Sequence, residues 1–165
     1  MQFYAPPMKI FSLLTCSFLL PIPLLSAKVT VQREGEKATL LVDGKAFEVH
    51  GVGGGGSLEA LKNNGGNAVR TWGIDENTQG ILDDAHSKGI KVALGFWLGH
   101  ERHGFSYTDW DSNVNQAETL FLAVKKYKDH PALLLWGLGN EMEGFEKSSN
   151  PAIYTQIEYL ARAVK

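Results

Sequence analysis

The sequence predicts an α/β fold in which four strand–helix units follow a β-hairpin. Short apolar segments typical of strands alternate with longer segments of helical periodicity. The clearest strand lies between His130 and Glu143, where a continuous apolar run ends in glycines that are followed by Asn140 and Glu141. A short apolar run of this kind is typical of a strand that is buried on both faces of a parallel sheet. Strands joined by crossover helices form such sheets.

The length and composition fit a single globular domain and give no sign of a polyanionic partner. The 165 residues are enough to build one core, and the 44% hydrophobic and 21% charged content is ordinary for a globular protein. A net charge of −2 gives no electrostatic reason to expect binding to nucleic acid or to an anionic membrane. We therefore expect neither as a partner.

Residues 1–27 have the layout of a secretory signal peptide. Lys9 precedes a nearly continuous apolar run from Ile10 to Leu25, and the small residues Ser26 and Ala27 follow. The alternative is an uncleaved anchor, but the run is short and contains two prolines, which disfavour a spanning helix. The protein is therefore expected to be secreted or periplasmic, with no membrane attachment after cleavage.

The single cysteine, Cys16, falls within this leader. Residues 28–165 then contain none. A disulfide, a thiolate nucleophile and a cysteine-based metal site are all excluded from that segment.

The first structural element after the leader is a small β element over residues 28–49. Val29–Gln32 and Ala38–Val42 alternate as strands do. Asp43-Gly44 is a strong hairpin turn signal, and it leads into a third segment, Ala46–Val49.

The strand–helix units follow in order, each helix having a recognisable start or stop signal. After the glycine run at residues 51–56, the predicted elements are helix Ser57–Asn63, strand Ala68–Trp72, helix Thr78–Lys88, strand Ile90–Trp97, helix Asn115–Lys128, strand Ala132–Trp136 and a helix that starts at Asn150-Pro151. A sequence that stops in a fourth helix is natural for half of an eight-fold barrel. The prediction for residues 28–165 is therefore the N-terminal half of a (β/α)8 TIM barrel, as part of a truncated domain.

The glycine run also matches a dinucleotide-binding fingerprint. Gly51, Gly53 and Gly56 have the required spacing, and Asp75 follows near the end of the next strand. A secreted oxidoreductase is thus one alternative. We favour a flexible strand-to-helix turn, because polar residues such as His50 occupy what should be an apolar central strand. No cofactor is predicted.

Arg70 and Trp72 lie at the end of the second predicted strand, and the two-residue period of a strand places them on the same side. An arginine at the end of a buried strand needs a charged partner. One interpretation is that Arg70 holds and polarises a catalytic carboxylate. The other is a structural ion pair with Asp75 or Glu76.

The loop after the third strand combines aromatic rings, whose faces stack on sugars, with polar groups that bind hydroxyls. Its members are Trp97, His100, Glu101, Arg102, His103, Phe105, Tyr107 and Trp110. His100, Glu101 and His103 also suggest a metal site, but their spacing on a loop is weak support and no metal is predicted. An ordinary packed surface loop is the remaining alternative.

Glu141 is the strongest candidate for a catalytic group. An acid that protonates a leaving oxygen near neutral pH needs a raised pKa, and we expect partial burial of Glu141 beside Trp136 and Leu138. Asn140 could bind a substrate hydroxyl and orient the acid. The alternatives are a carboxylate that accepts hydrogen bonds from loop backbone, and Glu143 as the acid instead.

The segments His130–Glu141 and Asn67–Trp72 resemble the retaining glycoside hydrolases built on (β/α)8 barrels. The resemblance covers roughly residues 40–165 and is greatest to the catalytic domains of family two, then family five. It implies that Glu141 is the general acid/base and that Arg70 sits near the nucleophile. The glycine run departs from the more polar first loop of those families.

The resemblance implies hydrolysis of O-glycosidic bonds in β-linked oligo- or polysaccharides by a double displacement. Asn140, Arg70, Trp72, Trp97, His100 and His103 are the expected substrate-binding residues. The mechanism needs two carboxyl groups roughly 5 Å apart. The nucleophile of those families lies on strand seven, so we expect it to be missing and the chain alone to be inactive.

Two further expectations follow from this interpretation. A half-barrel would expose the edges of its first and fourth strands, and open edges invite self-association. A carbohydrate-binding remnant without catalysis is the alternative function.

Overall fold

A computed structural model describes residues 26–143 and 150–165. Apart from Ser26 and Ala27, the predicted leader with Cys16 lies outside the described residues. None of the helices within those two ranges is long and apolar enough to cross a membrane.

The chain begins with a three-stranded antiparallel sheet in the order β1-β2-β3, formed by β1 (Val29–Glu34), β2 (Lys37–Val42) and β3 (Lys45–Ala46). The predicted turn joins β2 to β3, and Asp43 and Gly44 both have positive φ (52° and 76°), as this kind of tight hairpin requires. The third strand is shorter than predicted.

A four-stranded parallel sheet follows, with its strands in the same order as in the sequence. Its strands are β4 (Gly51–Gly53), β5 (Ala68–Arg70), β6 (Lys91–Phe96) and β7 (Leu133–Leu138). The helices are α1 (Leu58–Asn63), α2 (Thr78–Ser87), α3 (Trp110–Tyr127) and α4 (Pro151–Ala163). A sheet whose strands lie in sequence order is typical of a (β/α)8 barrel. In a doubly wound fold, the strand order reverses at the point where the ligand binds. The predicted partial barrel is confirmed.

Local capping explains where the helices begin. Ser57 Oγ accepts the Ala60 N–H at 3.1 Å and starts α1 as predicted. Asn150 caps α4 in the same way, with proline in the first turn. The prediction that α3 starts at Asn115 is wrong. It starts at Trp110, because the Asp109 carboxylate accepts the Ser112 N–H at 2.9 Å.

The core lies between the parallel sheet and the helices. One cluster of buried residues surrounds Leu82 of α2 and Val92 of β6, and a second surrounds Leu120 of α3 and Leu160 of α4. All four side chains are fully buried. Burying a side chain of this kind contributes roughly 1.5–3 kcal/mol, so these contacts fix the helices on one face of the sheet.

The opposite face of the sheet, called the inner face below, carries mostly small residues. They are Gly51, Gly53, Ala68, Ala93, Gly95 and Gly137. The larger residues on this face are Arg70, Lys91 and Leu135. The expectation that β7 is buried on both faces is wrong at Leu135, which is 45% exposed. The reason is that Leu135 lies on the inner face, away from the helices that cover the other face.

Candidate active site

The carboxyl ends of β5 and β7 are joined by a hydrogen bond between side chains. Arg70 Nη2 donates to Asn140 Oδ1 at 3.2 Å. The Arg70 guanidinium carbon also lies 4.2 Å from the centroid of the Trp72 ring, within the range of a cation–π contact. The prediction that Arg70 and Trp72 share a side is confirmed.

Arg70 forms no ion pair with a carboxylate of the described residues. The structural ion pair with Asp75 or Glu76 is therefore not formed. Asp75 Oδ1 instead accepts from Asn77 N at 2.9 Å and from Thr78 Oγ1 at 3.3 Å, which places it in the turn before α2. Asp75 therefore contacts the turn before α2 and not Arg70, whose guanidinium lies on the inner face.

Asn140 is held from two sides. Its side-chain oxygen accepts from Arg70, and its backbone carbonyl accepts from His100 Nε2 at 2.6 Å. Since a guanidinium only donates, the first contact also fixes which end of the amide is oxygen. The amide NH2 group then points away from Arg70 and can donate to a ligand.

Glu141 follows in a left-handed conformation, with φ of 47°. Its side chain is 72% exposed, and Arg102 Nη2 lies 3.8 Å from Oε2. Arg102 Nη1 also donates to the Glu141 carbonyl at 3.2 Å. The expected partial burial beside Trp136 and Leu138 is not found, because both of those side chains pack towards the helices in the second core cluster.

Glu143, the rival acid, has a partner on α4. The Tyr154 hydroxyl donates to Glu143 Oε1 at 2.7 Å. This carboxylate is therefore held against α4, while Glu141 is directed to solvent beside Arg102.

The loop after β6 places its histidines and tryptophan in one cluster. The His100 ring contacts the Trp97 and His103 rings edge to face, with centroids 4.8 and 5.4 Å apart. His100 is only 3% exposed, whereas Trp97 is 46% and Trp72 41% exposed. The two tryptophans present rings to solvent at the ends of β6 and β5. His100 was expected to contact substrate, but the structure places it in the loop interior on the Asn140 carbonyl.

The remaining aromatic residues of this loop do not join the site. Tyr107 is buried and donates to the Gly99 carbonyl at 2.7 Å, and desolvation by this burial raises the pKa of its phenol. Phe105 packs against Tyr107 and against Gly99. Trp110 is 78% exposed and lines a groove between α3 and α4 together with Tyr159.

The structure does not support the metal or dinucleotide alternatives. Within residues 26–143 and 150–165, no group of three His, Cys, Asp or Glu side chains is arranged to hold a metal ion. Gly51 faces Ala68 so closely that a Cβ would lie 2.5 Å from the Ala68 carbonyl oxygen. The expectation that the whole glycine run is a flexible turn is therefore wrong at its start, because Gly51–Gly53 form β4 and pair with β5. The helix α1 after the run has only six residues.

Sequence reasoning missed the contacts that link the two loops. Asn150 Nδ2 donates to Glu101 Oε1 at 2.6 Å, and Arg102 reaches Glu141. These partners are separated by 49 and 39 positions. Local patterns carry no signal for such pairs.

No family model matches the chain. It is similar to β-galactosidase Pbg of Clostridium perfringens, with 32% identity over a segment that covers 39% of this chain and 13% of that protein. A solved structure of β-glucuronidase from Ruminococcus gnavus, in complex with a C6-substituted uronic isofagomine, matches with a TM-score of 0.57 and 17% identity.

The chain has a glycoside-hydrolase-like fold. The structural match covers 84% of this chain but 25% of the β-glucuronidase, so the chain spans about a quarter of that protein. It spans a still smaller part of the β-galactosidase. These matches support the glycosidase barrel as the general fold, without assigning the chain to family two or family five.

Proposed function

We propose that this chain carries the acid/base part of the active site of an exported glycoside hydrolase. The enzyme would cleave β-linked oligo- or polysaccharides with retention of configuration. The observation that carries the proposal is the Asn140–Glu141 pair at the end of β7, which is joined to Arg70 at the end of β5. In barrel enzymes the carboxyl ends of the strands carry the catalytic groups.

Glu141 is the proposed general acid and, in the second step, the general base. Its exposed carboxylate is accessible to the glycosidic oxygen of a bound substrate. Asn140 is the proposed hydroxyl-binding residue, because Arg70 occupies its oxygen and leaves its NH2 group to donate.

The two exposed tryptophans are the proposed sugar-stacking surfaces. Trp72 and Trp97 follow adjacent strands, and both side chains are partly exposed. Gly73, next to Trp72, is close to Trp97, since a Cβ built on Gly73 would lie 3.8 Å from the Trp97 Cβ. His103, in the short 3-10 helix after β6, is proposed as a polar contact to the substrate. A sugar bound at the end of β7 would then meet aromatic faces on one side.

We propose that the nucleophile is a glutamate supplied by residues beyond those described. A retaining mechanism needs a second carboxyl group roughly 5 Å from the first. Arg70 forms no ion pair with a described carboxylate, so its guanidinium is available to that nucleophile. Since the relatives are several times longer than the matched segments, we expect these 165 residues alone to be inactive.

The test uses the full-length product of the gene and its Glu141→Ala variant. Loss of an acid/base should abolish hydrolysis of aryl β-glycosides with poor leaving groups, while activated dinitrophenyl glycosides still form the glycosyl-enzyme. Added azide should then restore turnover and release the β-glycosyl azide. An α-glycosyl azide, or wild-type kinetics with poor leaving groups, would contradict the role given to Glu141.

Two further measurements complete the test. Glu143→Ala serves as the matched control, because the Glu143 carboxylate is held by Tyr154, and we expect this variant to retain activity. Residues 28–165 alone should show no turnover of the same substrates. Turnover that Glu141→Gln abolishes would overturn the proposal of an external nucleophile but not the glycosidase assignment.

A further inference from the structure

We propose that His100 is a positioning residue for the Asn140–Glu141 pair, acting through the backbone carbonyl of Asn140. The catalytic meaning of this proposal rests on the proposed function, but the contact itself does not. His100 does not need to touch the substrate for this role, and its 3% exposure agrees with that.

The hydrogen bond fixes the chemical state of the ring nitrogen involved. A carbonyl oxygen only accepts, so the proton of the 2.6 Å contact must lie on His100 Nε2. Nδ1 is buried and has no hydrogen-bond partner within the part of the chain that the structure describes. The ring therefore contributes one directed hydrogen bond, from Nε2, to its surroundings.

The target of that bond explains why it matters for Glu141. The Asn140 carbonyl belongs to the peptide plane before the Glu141 Cα, and the Glu141 carbonyl belongs to the plane after it. His100 holds the first plane, and Arg102 holds the second through its 3.2 Å bond. The orientations of these two planes define φ and ψ of Glu141.

That backbone conformation needs external support. Glu141 has φ of 47°, a region that residues with a Cβ rarely adopt. Such conformations persist where surrounding contacts hold them. Glu101, between the two positioning residues, accepts from Asn150 at 2.6 Å, so three successive loop residues all contact the segment after β7.

The ring packing of His100 can be separated from its hydrogen bond. His100→Phe keeps an aromatic ring between Trp97 and His103 but removes the donor. His100→Gln can place a side-chain N–H near the position of Nε2 and should restore the bond to the Asn140 carbonyl. His86→Phe is the matched control, since His86 lies exposed on α2.

The structural test is NMR spectroscopy of residues 28–165, without the leader and in the Leu135→Lys background if the chain self-associates. We expect long-range 15N–1H spectra to show His100 protonated at Nε2. His100→Phe should shift the amide resonance of Glu141 and change its HN–Hα coupling, which reports φ, whereas His100→Gln and His86→Phe should leave both near wild type. A proton on Nδ1 instead of Nε2, or an unchanged Glu141 signal in His100→Phe, would overturn the proposal.

The kinetic test uses the full-length gene product. We expect His100→Phe to lower kcat on the order of a hundredfold with little change in KM, because misplacing a catalytic group by about 1 Å has this effect. His100→Gln should recover most of the loss. A His100→Phe enzyme with wild-type kcat would overturn the positioning role. A wild-type enzyme without glycosidase activity would instead refute the proposed function, while the NMR result would still decide the contact.

Discussion

The guanidinium of Arg70 and the side-chain oxygen of Asn140 lie 3.2 Å apart, although the two residues are 70 positions apart in the sequence. The contact spans the inner face from β5 to β7 and passes over β6. Gly137 lies next to this contact, since a Cβ there would be in ordinary van der Waals contact with Arg70 Nε at 3.9 Å. The hydrogen-bonded pair Arg70 and Asn140 therefore lies directly beside the small residues of the inner face.

Replacing Arg70 tests this contact directly. Arg70→Met removes every donor, so we expect the Asn140 side-chain amide and the Trp72 indole N–H resonances to move. Hydrogen bonds to charged groups contribute about 1.5–3 kcal/mol, and we expect a loss of that order in kcat/KM of the full-length enzyme. Arg70→Lys should fall in between, because an ammonium lacks the planar fork. Arg33→Lys, on exposed β1, is the control, and equal effects of Arg33→Lys and Arg70→Lys would contradict the specific contact.

The inner face should not tolerate a single methyl group at Gly95. A Cβ there would lie 2.2 Å from the Thr71 carbonyl oxygen, which is backbone and cannot move aside. We expect Gly95→Ala to lower the free energy of unfolding by about 1–3 kcal/mol. Gly80→Ala is the same change in α2 with nothing within 4 Å, and it should stabilise by about 0.4–1 kcal/mol. Urea unfolding of both variants measures the contrast, and a stable Gly95→Ala protein would show that the strands are not so close.

A salt- and pH-dependent contact links α2 to the start of β7. His130 Nδ1 accepts the Ala132 N–H at 3.1 Å, so Nε2 carries the proton that Asp83 accepts at 3.1 Å. This hydrogen bond, followed by one from Gln79, lowers the pKa of Asp83 below its usual value. A carboxyl group with a lowered folded-state pKa stabilises above its unfolded pKa, and this contribution is lost as the pH falls through the folded value.

We therefore expect Asp83→Asn to flatten the pH dependence of unfolding below about pH 4. The effect should be small, because Asp83 is an exposed residue. Glu36→Gln, at the exposed turn between β1 and β2, controls for the loss of one carboxylate. The measurement is the urea midpoint as a function of pH. If the urea midpoints of wild type and Asp83→Asn fall equally as the pH is lowered below about 4, the Asp83 contact does not contribute to stability.

Elements with strong local signals were predictable from the sequence. The Asp43-Gly44 turn and the Ser57 and Asn150 caps lie where local chemistry places them. The start of α3 is predicted five residues too late, because the Asp109 carboxylate caps the helix ahead of Asn115. The chain's alternation of strand and helix was sufficient to predict the parallel sheet.

The candidate site was predictable only in part, because its geometry depends on distant contacts. The two-residue period placed Arg70 and Trp72 together correctly. No local pattern indicated the positive φ of Glu141 or the exposure of its side chain. The burial of His100 depends on a carbonyl 40 positions away. Both residues take part in long-range hydrogen bonds to backbone carbonyls, which residue types alone do not reveal.

Self-association of the 165-residue chain is the remaining prediction. In the described residues β4 and β7 are the edges of the parallel sheet, and Leu135 lies 45% exposed on the inner face of β7. Unpaired edges beside apolar surface favour pairing with another chain, and inward-pointing charges prevent it. We expect residues 28–165 of wild-type sequence, without the apolar leader, to associate in a concentration-dependent way in analytical ultracentrifugation.

Leu135→Lys should shift that equilibrium towards monomer, because pairing across the inner face would bury an unpaired ammonium group. Leu122→Lys is the matched control, since Leu122 is 69% exposed on the outer surface of α3 and the charge change is the same. Only the inner-face variant should change the association constant. If both lysine substitutions lower the association constant equally, the cause is the added net charge and not the inner face. If the wild-type chain stays monomeric over the whole concentration series, the prediction of self-association is refuted.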